Sequence, residues 1–200
     1  MKKMSSLIVM MILGLGILTI VSPAAEEQAP ATDPAMEQWA RLSSPGEQHK
    51  VLEPLVGKWN YSMRWWKAPD APPEESTGTS ENAWIMGGRF VEQKVMGQAM
   101  GQPFEGTGTI GYDNVRGEYT TIWFSNMNTG IMNVSGQYDP ATKTLTDKGT
   151  FSCPITGEKN MPYHSEWKIV DNDHNTYVSY SVGPDRKEFK SMEISYTRTQ

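Results

Sequence analysis

The sequence predicts an all-β protein, an antiparallel up-and-down β-barrel of about ten strands behind a short N-terminal helical segment. Three observations predict it. From Gly57 to Arg198 apolar and polar residues alternate with period two, the signature of strands with one buried face. Turn chemistry breaks the alternation every ten to twelve residues, the rhythm of a sandwich or barrel. The first run opens on Gly57-Lys58-Trp59 and the last closes on Tyr196-Thr197-Arg198, with nothing helical between. Short links favour neighbour-to-neighbour hairpins, hence an up-and-down order rather than a Greek key.

Residues 1–24 read as a secretory signal. Lys2 and Lys3 make a basic start, Leu7 to Val21 is an apolar run of 15 residues, and Ser22-Pro23-Ala24 places small residues where a signal peptidase reads. The run falls short of the roughly 20 residues that span a bilayer as a helix. An uncleaved anchor is the alternative. The expected location is exported, periplasmic or extracellular. Residues 25–43 form a flexible tether, rich in Ala, Pro, Glu and Gln, with a possible short helix from Asp33-Pro34 to Arg41. The barrel domain is expected over 44–200. Ser44-Pro45-Gly46-Glu47 is its opening helix signal, with a capping Ser, Pro in the first turn and Glu three residues on. That helix should end near Pro54 and pack Val51, Leu52 and Leu55 on one end of the barrel.

Strands are expected near 58–67, 77–86, 89–96, 104–112, 118–125, 130–138, 144–152, 162–170, 175–182 and 187–198. Gly87-Gly88, Asp113-Asn114, Asp139-Pro140 and Gly183-Pro184-Asp185 are among the turns that separate them.

Charge narrows the partners. Cleavage after Ala24 removes two lysines and no acid, taking the formal charge from −5 to −7. Nucleic acid and anionic membrane both favour a basic face, so neither is an expected partner of the mature chain. Cys153 is the single cysteine, and one thiol makes no internal disulfide. Stability must come from an ordinary core.

Parity assigns the interior. Trp59, Tyr61, Met63 and Trp65 share a face of the first strand, and Met192, Ile194, Tyr196 and Arg198 share one of the last. Tyr119 and Trp123 share a face, as do Tyr163, Trp167 and Ile169, and Val178 and Tyr180. Such a face either fills a core or lines a pocket. The candidate ligand wall is Trp59, Tyr61, Met63, Trp65, Trp84, Trp123, Trp167, Met192 and Tyr196, with Asn82, Arg89 or Glu105 supplying polar specificity. Trp59 and Arg198 form a predicted clasp between first and last strands, through a cation–π contact of about 0.5–2 kcal/mol.

Other motifs are decoys. Gly106, Gly108 and Gly111 spell G-x-G-x-x-G, but strand continues to Tyr112 and the helix that would hold a pyrophosphate is missing. Asp171, Asp173 and Asn175 mimic half a calcium loop, with Thr176 where Gly is required and Val182 where Glu is required. His49, His164 and His174 are too scattered for a zinc set, and His164, the sole candidate for a haem iron, falls with Glu166 and Lys168 on the outward face. Met96, Met100, Met127 and Met132 form no Met-x-x-Met cluster for copper. No G-x-S-x-G elbow exists. Neither metal nor cofactor is expected. Glu81, Glu92, Glu105 and Glu166 offer carboxylates, but nothing in the sequence brings two together.

Gly57-Lys58-Trp59 with a terminal-strand arginine resembles the first-strand signature of lipocalin-like (calycin) barrels. A longer series is more specific. His49 and Leu52 lead into Leu55-Val56-Gly57-Lys58-Trp59, followed by Gly87-Gly88-Arg89-Phe90 and Met100-Gly101-Gln102-Pro103-Phe104-Glu105-Gly106. Gly111-Tyr112-Asp113, Met127-Asn128-Thr129-Gly130 and Tyr138-Asp139 come next, then Gly183-Pro184-Asp185, Glu188-Phe189-Lys190 and Met192 to Arg198. In this order they resemble the bacterial domain of unknown function 1579 family. The resemblance runs from about His49 to Arg198 and implies a lipocalin-like barrel; it carries over no catalytic residue.

Three readings follow. The first is an exported barrel that binds a small apolar or aromatic molecule. The second is an enzyme of hydrolase or isomerase type using the same cavity through an internal carboxylate. The third is a packed interaction module that presents its loops.

Overall fold

A computed structural model describes residues 33–154, 156–183 and 185–199. The signal expected over 1–24 and residues 25–32 of the tether lie outside these residues. Helix α1 runs Pro34–Ser43, α2 is the single turn Glu47–Lys50, and a 3-10 turn covers Glu53–Leu55. Ten strands follow: β1 (Gly57–Trp65), β2 (Glu74–Ile85), β3 (Phe90–Ala99), β4 (Gln102–Asp113) and β5 (Glu118–Ser125). β6 (Met132–Asp139), β7 (Thr144–Phe151), β8 (Met161–Ile169), β9 (His174–Val182) and β10 (Glu188–Arg198) complete the set. Each pairs antiparallel with its neighbours in sequence, and β1 pairs with β10 to close an up-and-down barrel. Among the described strands, closure leaves no edge to recruit another chain.

The sequence reading of the helices needs one correction. Asp33 caps α1 as expected, its Oδ1 accepting from the Ala35 amide at 2.9 Å. Ser44, however, ends α1 rather than starting α2. Its hydroxyl donates back to the Ala40 carbonyl at 2.7 Å. The second helix starts at Gly46, whose amide donates to Nδ1 of His49 at 3.0 Å. Serine satisfies orphan groups at either helix end, and here the carbonyl of the preceding helix was the nearer partner.

This N-terminal segment plugs one end of the barrel. Leu52 and Leu55 are 1% and 2% exposed, packed with Trp59, Val91 and Tyr119, each 1% exposed. Burying side chains of this size contributes about 1.5–3 kcal/mol each. Polar contacts fix the plug's position. The Leu55 carbonyl accepts from Trp59 Nε1 at 3.0 Å and from Asn82 Nδ2 at 2.8 Å. The Tyr119 hydroxyl donates to the Gln48 carbonyl at 2.8 Å, and Trp84 Nε1 to Glu53 Oε2 at 2.6 Å.

Register confirms the parity along β1, where Trp59, Tyr61, Met63 and Trp65 face Arg198, Tyr196, Ile194 and Met192 of β10. A bulge between Lys190 and Met192 adds one residue to β10. Through it Ser191 also reaches the interior, 6% exposed, with its hydroxyl 3.3 Å from that of Ser179.

Candidate functional site: a polar, tyrosine-rich lumen

The interior changes character along the barrel axis. At the plugged end it is apolar and filled. Above that floor it is polar: Ser80, Asn82, Gln93, Asp147, Ser165, Asn175, Ser179 and Ser191 are all buried. Toward the open end the inward side chains of Met63, Trp65, Phe104, Trp123, Tyr163 and Tyr177 are only half-buried. Side chains that point into a closed barrel and still keep accessible surface border space that the protein does not fill.

Glycines shape this space. A Cβ on Gly97 would lie 2.2 Å from the Tyr61 hydroxyl oxygen, and one on Gly78 would lie 2.6 Å from it. Both glycines are therefore what lets the Tyr61 ring lie across β2 and β3. Likewise a Cβ on Gly106 or Gly108 would meet the Trp123 ring at 2.4 or 2.8 Å. The G-x-G-x-x-G of the sequence is a seat for an indole laid flat on β4. Gly111, the third member, seats Phe90 on the outer face in the same way, at 2.3 Å.

Asp147 stands on the floor of the polar zone and is 5% exposed. Register sets it opposite Gly136 of β6 and Ser165 of β8. Its Oδ2 accepts from the Thr121 hydroxyl at 3.0 Å, while Oδ1 has no hydrogen-bond partner among the described residues. Burial raises its pKa to about 6, and the Thr121 hydrogen bond opposes that only in part. Nearby, the hydroxyls of Tyr163 and Tyr177 share a short hydrogen bond. Burial pushes both pKa values up, Tyr177 well above the ordinary tyrosine range. Tyr196, also raised by burial, hydrogen-bonds Gln93, and its ring lies 6.0 Å from that of Tyr61. Gln93 Nε2 in turn donates to Ser80 Oγ at 3.1 Å. At the mouth a cleft of about 600 Å³ is lined by Ser76, Gly97, Met100 and their neighbours. The Ser76 hydroxyl, inward and buried, likewise has no hydrogen-bond partner among the described residues.

The candidate wall residues separate into two groups. Trp59, Trp84, Trp167 and Tyr196 pack into or beside the core around the plugged end, and Trp167 Nε1 donates to Asn175 Oδ1 at 2.7 Å. Tyr61, opposite Tyr196, is buried in the same cluster, while Met63, Trp65, Trp123 and Met192 stand along the wall toward the mouth. Of the three polar candidates, Asn82 faces inward but is spent on the Leu55 carbonyl and Ser80. Arg89 sits in the β2–β3 turn and donates to the Ser43 and Met86 carbonyls, away from the lumen. Glu105 is exposed on the outer face of β4, opposite Met96. Parity has no meaning inside a turn, and Glu105 neighbours the inward Gly106, so both side chains lead outward.

The clasp residues meet as expected, with the Arg198 guanidinium carbon 4.1 Å from the Trp59 ring centroid. His164 stacks on Tyr180 at 4.2 Å and its Nδ1 lies 2.7 Å from Glu188 Oε2, all on the outer face. It offers nothing to a group in the lumen. Cys153 is half-buried in the loop after β7, its amide bonded to the Glu158 carbonyl. No cluster of three His, Cys, Asp or Glu with metal-binding geometry occurs among the described residues.

Tyr163 is on a face that parity assigns to the interior; Asp147, Gln93, Tyr177, Ser165 and Ser179 join it there only in the structure. The signal for Asp147 was parity: it shares a face with Leu145, which is 4% exposed, and is flanked by outward Thr146 and Lys148.

No curated protein matches the chain. Among solved structures, the crystal structure of Rv2717c from M. tuberculosis aligns with a TM-score of 0.61 at 16% identity, covering 78% of this chain and 100% of that one. A redesigned β-barrel, b11L5F_LGL, aligns at TM-score 0.39 and 14% identity over 75% of this chain and 96% of its own. EF1p2_mFAP2b bound to DFHBI aligns at 0.41 and 12% identity over 76% and 98%. At these identities the Rv2717c likeness speaks for the fold alone. The family model for "Protein of unknown function (DUF1579)" matches residues 44–198, the plug and the whole barrel, and the chain belongs to that family.

Proposed function

We propose that the protein binds a small, largely aromatic or apolar molecule in the barrel lumen, through the open end. One observation carries this reading. Half-buried inward rings, Tyr163 and Tyr177, adjoin a buried carboxylate whose Oδ1 has no partner among the described residues. A barrel that only packed its core would fill that space and satisfy that atom. Apolar walls with a few placed polar groups are the usual make-up of a small-molecule site. The basic start, the apolar run and Ser22-Pro23-Ala24 support export, so the ligand would be met in the periplasm or outside the cell.

The test is native mass spectrometry of protein purified from its own host. The expected result is a chain beginning at Ala25 that carries a discrete additional mass. A bare polypeptide mass, with tryptophan emission unmoved by a panel of small aromatic compounds, would overturn the reading.

Asp147 also favours a second reading, an enzyme of hydrolase or isomerase type. A buried carboxylate with a pKa raised to about 6 is poised to exchange a proton near neutral pH. Turnover of the co-purified molecule, abolished in Asp147→Asn, would decide for it; binding without chemical change would decide against it.

A further inference from the structure

We infer that the ligand of this lumen carries a cationic nitrogen, an amine or amidine on a small aromatic body, received by Asp147 Oδ1. The inference rests on the lumen-binding reading and narrows the ligand class within it.

The charge balance of the interior points there. Asp147 faces Thr121 of β5, Gly136 of β6, Ser165 and Tyr163 of β8, and Tyr177 of β9. The titratable groups in this surround are the two tyrosines, and their hydroxyls are bonded to each other. No cation is among them. On the ten strands, Lys58, Arg64, Lys94, Lys148, His164, Lys168, His174 and Lys190 all fall on the outward parity. Arg198, on the inward parity, is spent at the plugged end, where its three nitrogens donate to the carbonyls of Asn172, Val56 and Pro54.

A carboxylate buried without a counter-charge costs several kcal/mol. Two escapes exist: the group takes up a proton, or a positive charge enters. The empty protein takes the first only below about pH 6; above it the carboxylate stays charged and uncompensated. A cationic ligand supplies the second and, once the side chains that cover Oδ1 move aside, gives that atom its missing donor. A neutral hydroxyl would meet the hydrogen bond but not the charge. The walls fit the same chemistry. The Trp123 ring, inward and half-buried, lies against Gly106 and Gly108, and aromatic faces attract a cation.

The sign of the pH dependence follows. A cation favours ionised Asp147, so its affinity should rise with pH up to about 6 and level off above. A neutral ligand of the same shape should show no such rise.

The experiment compares phenethylamine with phenethyl alcohol, binding to the full mature protein being followed by tryptophan emission and ligand-observed NMR. We expect the amine to bind at least about 10-fold tighter at pH 7.5, with the preference lost in Asp147→Asn and shrinking about 10-fold per pH step below 6. The Asn side chain keeps an acceptor for Thr121. Should that variant fail to fold, the pH profile of the wild-type preference decides alone. Equal binding of both compounds, or an amine preference that Asp147→Asn and pH leave unchanged, would overturn the inference while leaving the lumen as a binding site. If neither compound binds at any pH, the inference fails, while the lumen reading is decided by the mass measurement.

Discussion

Arg198, on the last strand, lies across the ring of Trp59, on the first, with its guanidinium carbon 4.1 Å from the ring centroid. The same side chain donates to the carbonyls of Val56 at 2.6 Å, Pro54 at 2.9 Å and Asn172 at 2.7 Å. It ties together the plug, the barrel closure and the β8–β9 turn. Gly57 is part of this arrangement, since it has φ +131° and a Cβ there would stand 2.2 Å from Arg198 Nη1. The G-x-W of the sequence thus exists to let an arginine lie close. Arg198→Ala should cost about 2–4 kcal/mol, the cation–π term plus carbonyls left without donors. Arg198→Lys should recover only part of it, because an ammonium cannot serve three carbonyls in a planar fork. Urea denaturation of the three proteins measures this, and a lysine variant as stable as wild type would refute the fork.

Tyr61 and the glycines beneath it give a second test. Gly97→Ala places a methyl 2.2 Å from the Tyr61 hydroxyl oxygen and 3.0 Å from the Thr77 carbonyl. The first clash is removed in Tyr61→Phe; the Thr77 carbonyl and the ring carbon, which stays at 3.2 Å, ask for shifts of tenths of an ångström. We expect Gly97→Ala alone to cost about 1–3 kcal/mol as an overpacking change, and Tyr61→Phe with Gly97→Ala to be clearly more stable than the sum of the singles. Additive losses in a double-mutant cycle would show that the ring does not need the glycine.

The barrel was legible because nearly every strand keeps strict alternation, so that one buried residue fixes the direction of all the others on its strand. The Trp59 and Tyr196 faces could be read that way, as could the outward turn of His164. Legibility ended where alternation did. Arg89 belongs to a four-residue turn, and Ser191 enters the interior through a bulge that no local pattern announces. Asp147 was hidden for another reason. Its parity was plain, but charged residues are so rarely buried unpaired that an acid between Thr146 and Lys148 reads as a solvated face. A departure of that kind from ordinary core composition is what marks the lumen.

The plug makes a third prediction. Leu52 and Leu55 close the barrel from a segment of one α-helical turn and one 3-10 turn, too short to be stable alone, so side-chain burial must largely hold it. Leu52→Ala should cost about 2–5 kcal/mol. Because Trp59 and Tyr119 lie against the same cluster, it should also expose indole to iodide quenching. By contrast α1 buries no residue and is tied by backbone acceptors, Ser43 to Arg89 and Leu42 and Ser44 to Asn114. Met36→Ala and Trp39→Ala, both on exposed side chains, should leave the melting temperature nearly unchanged. Comparable losses for Leu52→Ala and Trp39→Ala would mean that the plug is not a distinct unit.

Asp147 sets the last prediction, because its burial has a thermodynamic signature even without ligand. Its pKa is raised from 3.8 to about 6 in the folded chain. Below pH 4 the carboxyl is protonated both folded and unfolded, and burial costs no charge. Between pH 4 and 6 the unfolded chain releases the proton while the folded chain retains it. The unfolded state gains, and folding stability falls by about 1.4 kcal/mol per pH step, to about 3 kcal/mol in all. Above 6 both states are ionised and the deficit stays constant. Asp113, Asp139, Asp171 and Glu193 act in the opposite sense, since hydrogen bonds hold their pKa values down and their contribution is lost as pH falls. The wild-type curve therefore mixes both signs, and the difference from Asp147→Asn isolates the buried group. That variant should be more stable than wild type at pH 7, by up to about 3 kcal/mol, with the gap closing toward pH 4. A gap that is constant with pH, or a variant less stable at pH 7, would mean that Asp147 is compensated in the folded chain, and the lumen would then hold no unmet charge for a ligand to satisfy.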